Sequence, residues 1–155
     1  MNLNDEVEAL KRIKLFQTVE PAKLKLLAFA SERAAFDAGK TLFTEGDAAD
    51  AAYLILEGAA DVIVHSAKGP ITVATLGKDD FVGEIAILCD VPRTATVRAV
   101  SRLETLRIKK DVFFQLLRDV PAMALEIMRE LAERLGATTD QLSAAKARLK
   151  EAGLD

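Results

Sequence analysis

The sequence predicts a mainly β fold with flanking helices, and three observations carry that reading. Apolar residues recur at helical spacing up to about position 30, and then the period changes to two. From Arg33 to Ile108 short strand-like runs follow one another, separated by turn residues at intervals of roughly 8–12 residues. After Ile108 helical spacing returns. Many short strands with regular turn signals indicate an antiparallel sandwich or jelly-roll barrel, not alternating βαβ units. At 155 residues the chain has the size of one domain. Its expected parts are N-terminal helices over 1–32, a β-barrel over 33–109 and C-terminal helices over 110–155.

Each element has its own grounds. Leu3, Val7, Leu10 and Ile13 mark one face of a first helix, and Leu15-Phe16 reads as a core anchor after it. Pro21 is tolerated at a first helical position, so a second helix is expected there, running through Leu24, Leu27 and Ala28. Strands are expected at 40–44, 51–56, 61–65, 71–76, 95–100 and 104–108. The turns between them are Glu45-Gly46-Asp47, Glu57-Gly58, Ala67 to Pro70 and Gly77 to Asp80. A short helix over 111–118 follows, with Phe113, Phe114 and Leu117 expected in the core, and Pro121 opens a longer one. Along it Met128, Leu131, Leu135, Thr138, Leu142, Ala145 and Leu149 alternate at spacings of three and four, a heptad seam of about three repeats. Gly136 lowers helix stability by roughly 1 kcal/mol relative to alanine, so a bend or frayed joint is expected there. Such a seam either docks on the barrel or pairs with a second copy. It outruns what one small barrel covers, which favours a parallel homodimer.

Residues 81–97, FVGEIAILCDVPRTATV, carry the chemistry. Gly83 lets the backbone approach a ligand closely. Glu84-Ile85-Ala86-Ile87-Leu88 suits one or two helical turns, whose start presents unpaired N–H groups to an anion. Glu84 would accept from a sugar hydroxyl. A carboxylate beside a phosphate needs a cation near it, and Arg93 offers a planar fork for phosphate oxygens. Thr94 adds a hydroxyl, and Ala95 leads into the next strand. One anionic group, one sugar hydroxyl and a base together describe a cyclic nucleotide.

Composition narrows the alternatives. The net charge of −3 leaves no electrostatic footprint for nucleic acid. Neither a membrane-spanning apolar run nor a signal-like N-terminus is present, and with a single cysteine these features point to the cytoplasm. Cys89 reads as a small buried apolar side chain. The lone histidine, His65, cannot supply the two or three imidazoles of a metal-dependent barrel enzyme, and Cys89 has no base near it in sequence. No metal, cofactor or enzymatic activity is therefore expected.

The order G-E-x-A-I, a short loop through Pro92, then R-T-A-T-V-R-A resembles the phosphate-binding cassette of the cyclic nucleotide-binding domain family, here spanning 82–95. The resemblance extends over nearly the whole chain and implies a double-stranded β-helix, or jelly-roll, barrel. Gly39, Gly46 and Gly58 sit where that family turns its strands. The resemblance implies that Glu84 binds the ribose 2′-OH and Arg93 the cyclic phosphate, with the backbone of Gly83 and Ala86 and the hydroxyl of Thr94 assisting. Val62, Val73 and Leu76 correspond to wall positions around sugar and base. The helical end looks most like the catabolite activator protein branch, in which two adjacent hydroxyl residues of the long helix contact adenine; Thr138 and Thr139 stand at that place. Thr94 resembles domains that prefer cGMP, but bacterial members accept a hydroxyl there, so cAMP is expected, with a cGMP-selective sensor or a ligand-free module as alternatives. That branch carries a helix-turn-helix after the long helix, and these 155 residues contain none. The expectation is a sensor without direct DNA or membrane binding that signals through its C-terminal helix to an unidentified effector protein.

Overall fold

The computed structural model describes residues 2–153. Three helical segments precede the barrel: α1 (Leu3–Lys11), a 3-10 turn at Lys14–Phe16, and α2 (Pro21–Ala30). Asn2 caps α1 reciprocally, its side chain accepting from the Asp5 N–H while Asp5 accepts from the Asn2 N–H, each at 3.0 Å. The strands are β1 (Glu32–Phe36), β2 (Thr41–Phe43), β3 (Ala51–Glu57), β4 (Ala60–Ser66), β5 (Gly69–Leu76), β6 (Phe81–Val82), β7 (Thr96–Ala99) and β8 (Leu103–Lys109). A short helix, α3 (Glu84–Cys89), lies between β6 and β7, and α4 (Lys110–Asp119) and α5 (Pro121–Glu151) follow β8.

The strands form two antiparallel four-stranded sheets, in the orders β1-β8-β3-β6 and β2-β7-β4-β5. This is the expected jelly-roll. Strand β3 departs from simple alternation because both its faces are covered. Ala52, Leu54 and Leu56 pack under the helices with Leu10, Phe16, Leu24, Phe113 and Met123, whereas Ile55 turns into the barrel with Val97, Ala99 and Leu103. Six successive residues, Ala51 to Leu56, are buried as a result. The one fully buried threonine of β8, Thr105, satisfies its hydroxyl on the Ala34 carbonyl at 2.7 Å. At Gly58 φ is +97°, and a Cβ would lie 2.2 Å from the Arg102 carbonyl oxygen, so the turn from β3 to β4 requires glycine.

Several expectations need correction. Cys89 is exposed, because it closes α3 on the side away from the core. In α4 the inward positions are Phe113 and Leu116, while Phe114 and Leu117 are only partly buried; the face continues at Val120, one helical stripe. The hairpin between β4 and β5 turns over Ala67-Lys68 alone, since Ser66 already pairs with Gly69 and His65 with Pro70. Pro70 is tolerated because β5 is an edge strand. Strand β6 has just two residues, too few to announce itself by period.

Helix α5 runs unbroken through Gly136. It is anchored by the buried Met123 and Ile127, and Lys14 of the 3-10 turn lies 3.6 Å from Glu126 and 3.9 Å from Glu133. Beyond that, Leu131, Leu135, Leu142 and Leu149 are exposed, so the seam does not dock on this chain's own barrel. No helix among the described residues is long and apolar enough to cross a membrane.

Candidate functional site

The 81–97 segment folds around two left-handed residues, one at each end of α3. Strand β6 pairs with Tyr53 and Leu54 of β3, and Gly83, at φ 94° and ψ 1°, turns the chain directly into α3. Asp90, also left-handed at φ 52°, ends that helix. The loop carrying Arg93 is then clamped from outside by the turn between β2 and β3. The Arg93 N–H donates to the Asp47 carbonyl and the Gly46 N–H to the Arg93 carbonyl, both at 2.8 Å, while the Glu45 N–H donates to the Thr96 hydroxyl at 2.9 Å. Gly46, at φ +91°, thus holds the arginine's backbone in place.

These elements enclose a hollow of about 240 Å³. Gly83, Glu84, Ile85, Ala86, Arg93, Thr94 and Ala95 line it, together with Val62 and Leu76 of the wall. Of the other expected residues, Val73 does not line it and is 56% exposed. On β5 the residues that share the Val62 face are Ala74 and Leu76, two apart, and Val73 is off that face by alternation. Val62 pairs with Ala74 and Ile63 with Thr72, which leaves Val73 as the extra residue of a bulge. Thr138 and Thr139 also lie outside the lining, and their hydroxyls donate to the Arg134 and Leu135 carbonyls within α5, at 2.8 and 2.9 Å.

Arg93 is 3% exposed, and its guanidinium bridges two backbone segments. Nη1 donates to the Gly83 carbonyl at 2.7 Å and Nη2 to the Ala51 carbonyl, and the guanidinium carbon stands 3.9 Å from the centre of the Phe43 ring. The carboxylate nearest to it, Asp50, is 3.8 Å away and mostly exposed, and binds Arg107 more closely at 2.9 Å. Nε is buried without a hydrogen-bond partner among the described residues. Burial pulls the arginine's pKa below its ordinary value, with Asp50 acting against that. A buried cation with an unused donor can take an anion as a further partner.

Glu84 opens α3 with its side chain 13% exposed. Burial raises its pKa above the ordinary carboxylate value, opposed by its own backbone N–H and by Arg134, whose Nη1 lies 3.6 Å from Oε1. The folded state therefore holds the Glu84 proton more tightly than the unfolded state, so stability falls as pH rises from the ordinary value through the raised one. Glu84→Gln removes this penalty. Its melting temperature is expected to exceed that of the unsubstituted protein at pH 7, with the gap closing toward pH 4 in thermal melts across that range.

Sequence reasoning missed Arg134, Phe43, Phe81, Val82 and Val97 in the lining. Arg134 stands one turn before Thr138 on α5 but off the seam positions Leu131, Leu135 and Thr138, so the seam pattern gave no signal for it. Phe43 belongs to the distant β2, and only the fold brings it beneath Arg93.

Comparison with known proteins agrees with this fold. Residues 33–120 match the cyclic nucleotide-binding domain. The chain belongs to that family. It is 28% identical over 137 residues to the CRP-like cAMP-activated global transcriptional regulator of Mycobacterium tuberculosis, covering 88% of this chain and 61% of the regulator. To the cAMP-dependent protein kinase regulatory subunit of Yarrowia lipolytica it is 37% identical over 111 residues, covering 72% of this chain and 29% of that one. Its fold overlays the Thermus thermophilus catabolite activator protein with a TM-score of 0.77 at 28% identity, covering 85% of this chain and 62% of that protein. The chain thus spans less than two thirds of the length of these relatives.

Proposed function

We propose that this chain is a non-enzymatic sensor of a cyclic mononucleotide, cAMP above cGMP, acting in the cytoplasm and passing its signal through α5 to a partner. The observation that carries the reading is Arg93, buried beside the hollow with Nε unpartnered. A single-charged cyclic phosphate fits it. Glu84 supplies the acceptor for the ribose 2′-OH, and the first-turn N–H groups of α3, which have no partners within the helix, add donors for the phosphate. Arg134 then has two roles open to it: partner of Glu84, 3.6 Å away, and a second cation near the ligand when a sugar hydroxyl engages that carboxylate. Val62 and Leu76 give the sugar and base an apolar wall.

Base choice rests on two opposed features. Thr94 lines the hollow, where a hydroxyl suits a guanine amino group, whereas Thr138 and Thr139 lie on α5 outside it. The relatives favour cAMP, since both the mycobacterial regulator and the yeast kinase subunit are named for it. For Thr138 and Thr139 to reach adenine, α5 must repack over the ligand or a twin must contribute its own helix. Self-association along the exposed seam is part of this proposal, and Met128, Leu131 and Leu135 are the first residues available to it. Calorimetric titration with both nucleotides tests the reading. Tighter binding of cAMP is expected; a tighter cGMP isotherm would move the assignment to cGMP, and no binding of either would leave an interaction module without a ligand.

A further inference from the structure

We propose that the distal part of α5, from Leu142 to Leu149, docks an amphipathic helix with acidic flanks from another protein, not a second copy of this chain. The proposal deepens the output step of the proposed function and rests on reading α5 as that output. Leu142 and Leu149 are 55% and 49% exposed, with Ala145 between them completing one helical face. The residues that border such a face are those just before and just after its apolar positions. Here they are Gln141 before Leu142, Lys146 after Ala145 and Arg148 before Leu149. No carboxylate borders it. Asp140 and Glu151 each stand two residues from a seam leucine, turned away from the contact edge.

The charge pattern discriminates between occupants. Two parallel copies would set Lys146 against Gln141 of the twin, and Arg148 against its Gly153, so neither cation would meet an anion. A second copy supplies apolar surface without countercharge. A helix with leucines on one face and glutamates along both borders supplies both, and its own like charges keep it from pairing with itself. Thr138, polar in the middle of the seam, divides this cationic stretch from Met128, Leu131 and Leu135, which remain for the twin.

The test uses the full chain and two synthetic 21-residue helical peptides, both with leucine at the seam positions, one with glutamate and one with lysine at every bordering position. Fluorescence anisotropy of the labelled peptides measures binding at low and at high salt. The glutamate peptide is expected to bind about tenfold more tightly than the lysine peptide at low salt, a preference that shrinks as salt rises. The exposed double substitution Lys146→Glu/Arg148→Glu is expected to reverse the preference. Equal binding of the two peptides, or an unchanged preference in the double variant, would overturn the proposal. So would a dimer in sedimentation equilibrium that Leu142→Asp/Leu149→Asp dissociates, because the twin would then occupy this face. Calorimetry of cAMP on the same variants stands apart: if the nucleotide reading fails, it fails there and leaves the peptide comparison intact.

Discussion

Arg93→Ala is expected to weaken nucleotide binding by about 2–5 kcal/mol, a factor of roughly 30 to several thousand in the dissociation constant. The magnitude follows from burial. At 3% exposure, water does not replace the guanidinium when it is removed, so the phosphate would enter the hollow without its buried cationic fork, left with backbone N–H groups, the Thr94 hydroxyl and Arg134. Arg93→Lys separates charge from shape. It keeps the cation but cannot reach the Gly83 and Ala51 carbonyls and the phosphate together, so most of the loss should remain. Both substitutions free two carbonyls and lower stability, which thermal melts quantify independently of affinity. An affinity for cAMP within twofold of the unsubstituted protein, measured by calorimetry on folded Arg93→Ala, would make the arginine a structural strut and remove the basis of the sensor reading.

How far the sequence foretold this arrangement differs by element. The barrel was legible because its strands alternate and its turns carry Gly46, Gly58 and Gly77, and a local pattern of that kind survives in a linear string. The grouping of Gly83 to Ala86 and Arg93 to Ala95 around one hollow was legible for the same reason, since these residues lie within one short segment. What stayed hidden depends on contacts between distant segments. Val73 and Leu76 looked equivalent, yet they are three residues apart, and a strand with period two places such residues on opposite faces. Alternation alone thus sets Val73 opposite Leu76, and what the string Ile71-Thr72-Val73-Ala74 does not announce is the bulge that leaves Val73 unpaired with β4. Cys89 was expected inside because cysteine is small and apolar, whereas its place at the end of a six-residue helix turns it out. Phe43 and Arg134 reach the hollow from β2 and α5, 50 residues before Arg93 and 41 residues after it. The seam of α5 was visible as a pattern, but its exposure was not, because that depends on how far the helix projects beyond Ile127.

Gly83→Ala is the second substitution with a large expected effect, and it couples backbone strain to the proposed ligand site. At φ +94° an alanine pays about 1–2 kcal/mol for the left-handed conformation alone. Its Cβ would also lie 2.7 Å from Arg93 Nη1, 3.3 Å from the Ala51 carbonyl oxygen and 3.4 Å from the Phe43 ring. The terminal nitrogen of an arginine usually gives way, but this one is seated on Phe43 and bonded to Gly83 and Ala51, so it has little room to retreat. The expected loss of stability is about 2–4 kcal/mol, strain and steric displacement together. Gly39 provides the control, because its φ is +89° and a Cβ there meets nothing within 4 Å. Gly39→Ala should therefore show the strain alone and leave nucleotide affinity unchanged. Gly83→Ala should destabilise further in denaturant titrations and weaken cAMP binding by at least about tenfold, since any shift of the guanidinium moves the phosphate's partner. Equal behaviour of the two variants in both measurements would mean that Arg93 can leave Gly83 without consequence, and the close contact between them would then have no part in holding the ligand.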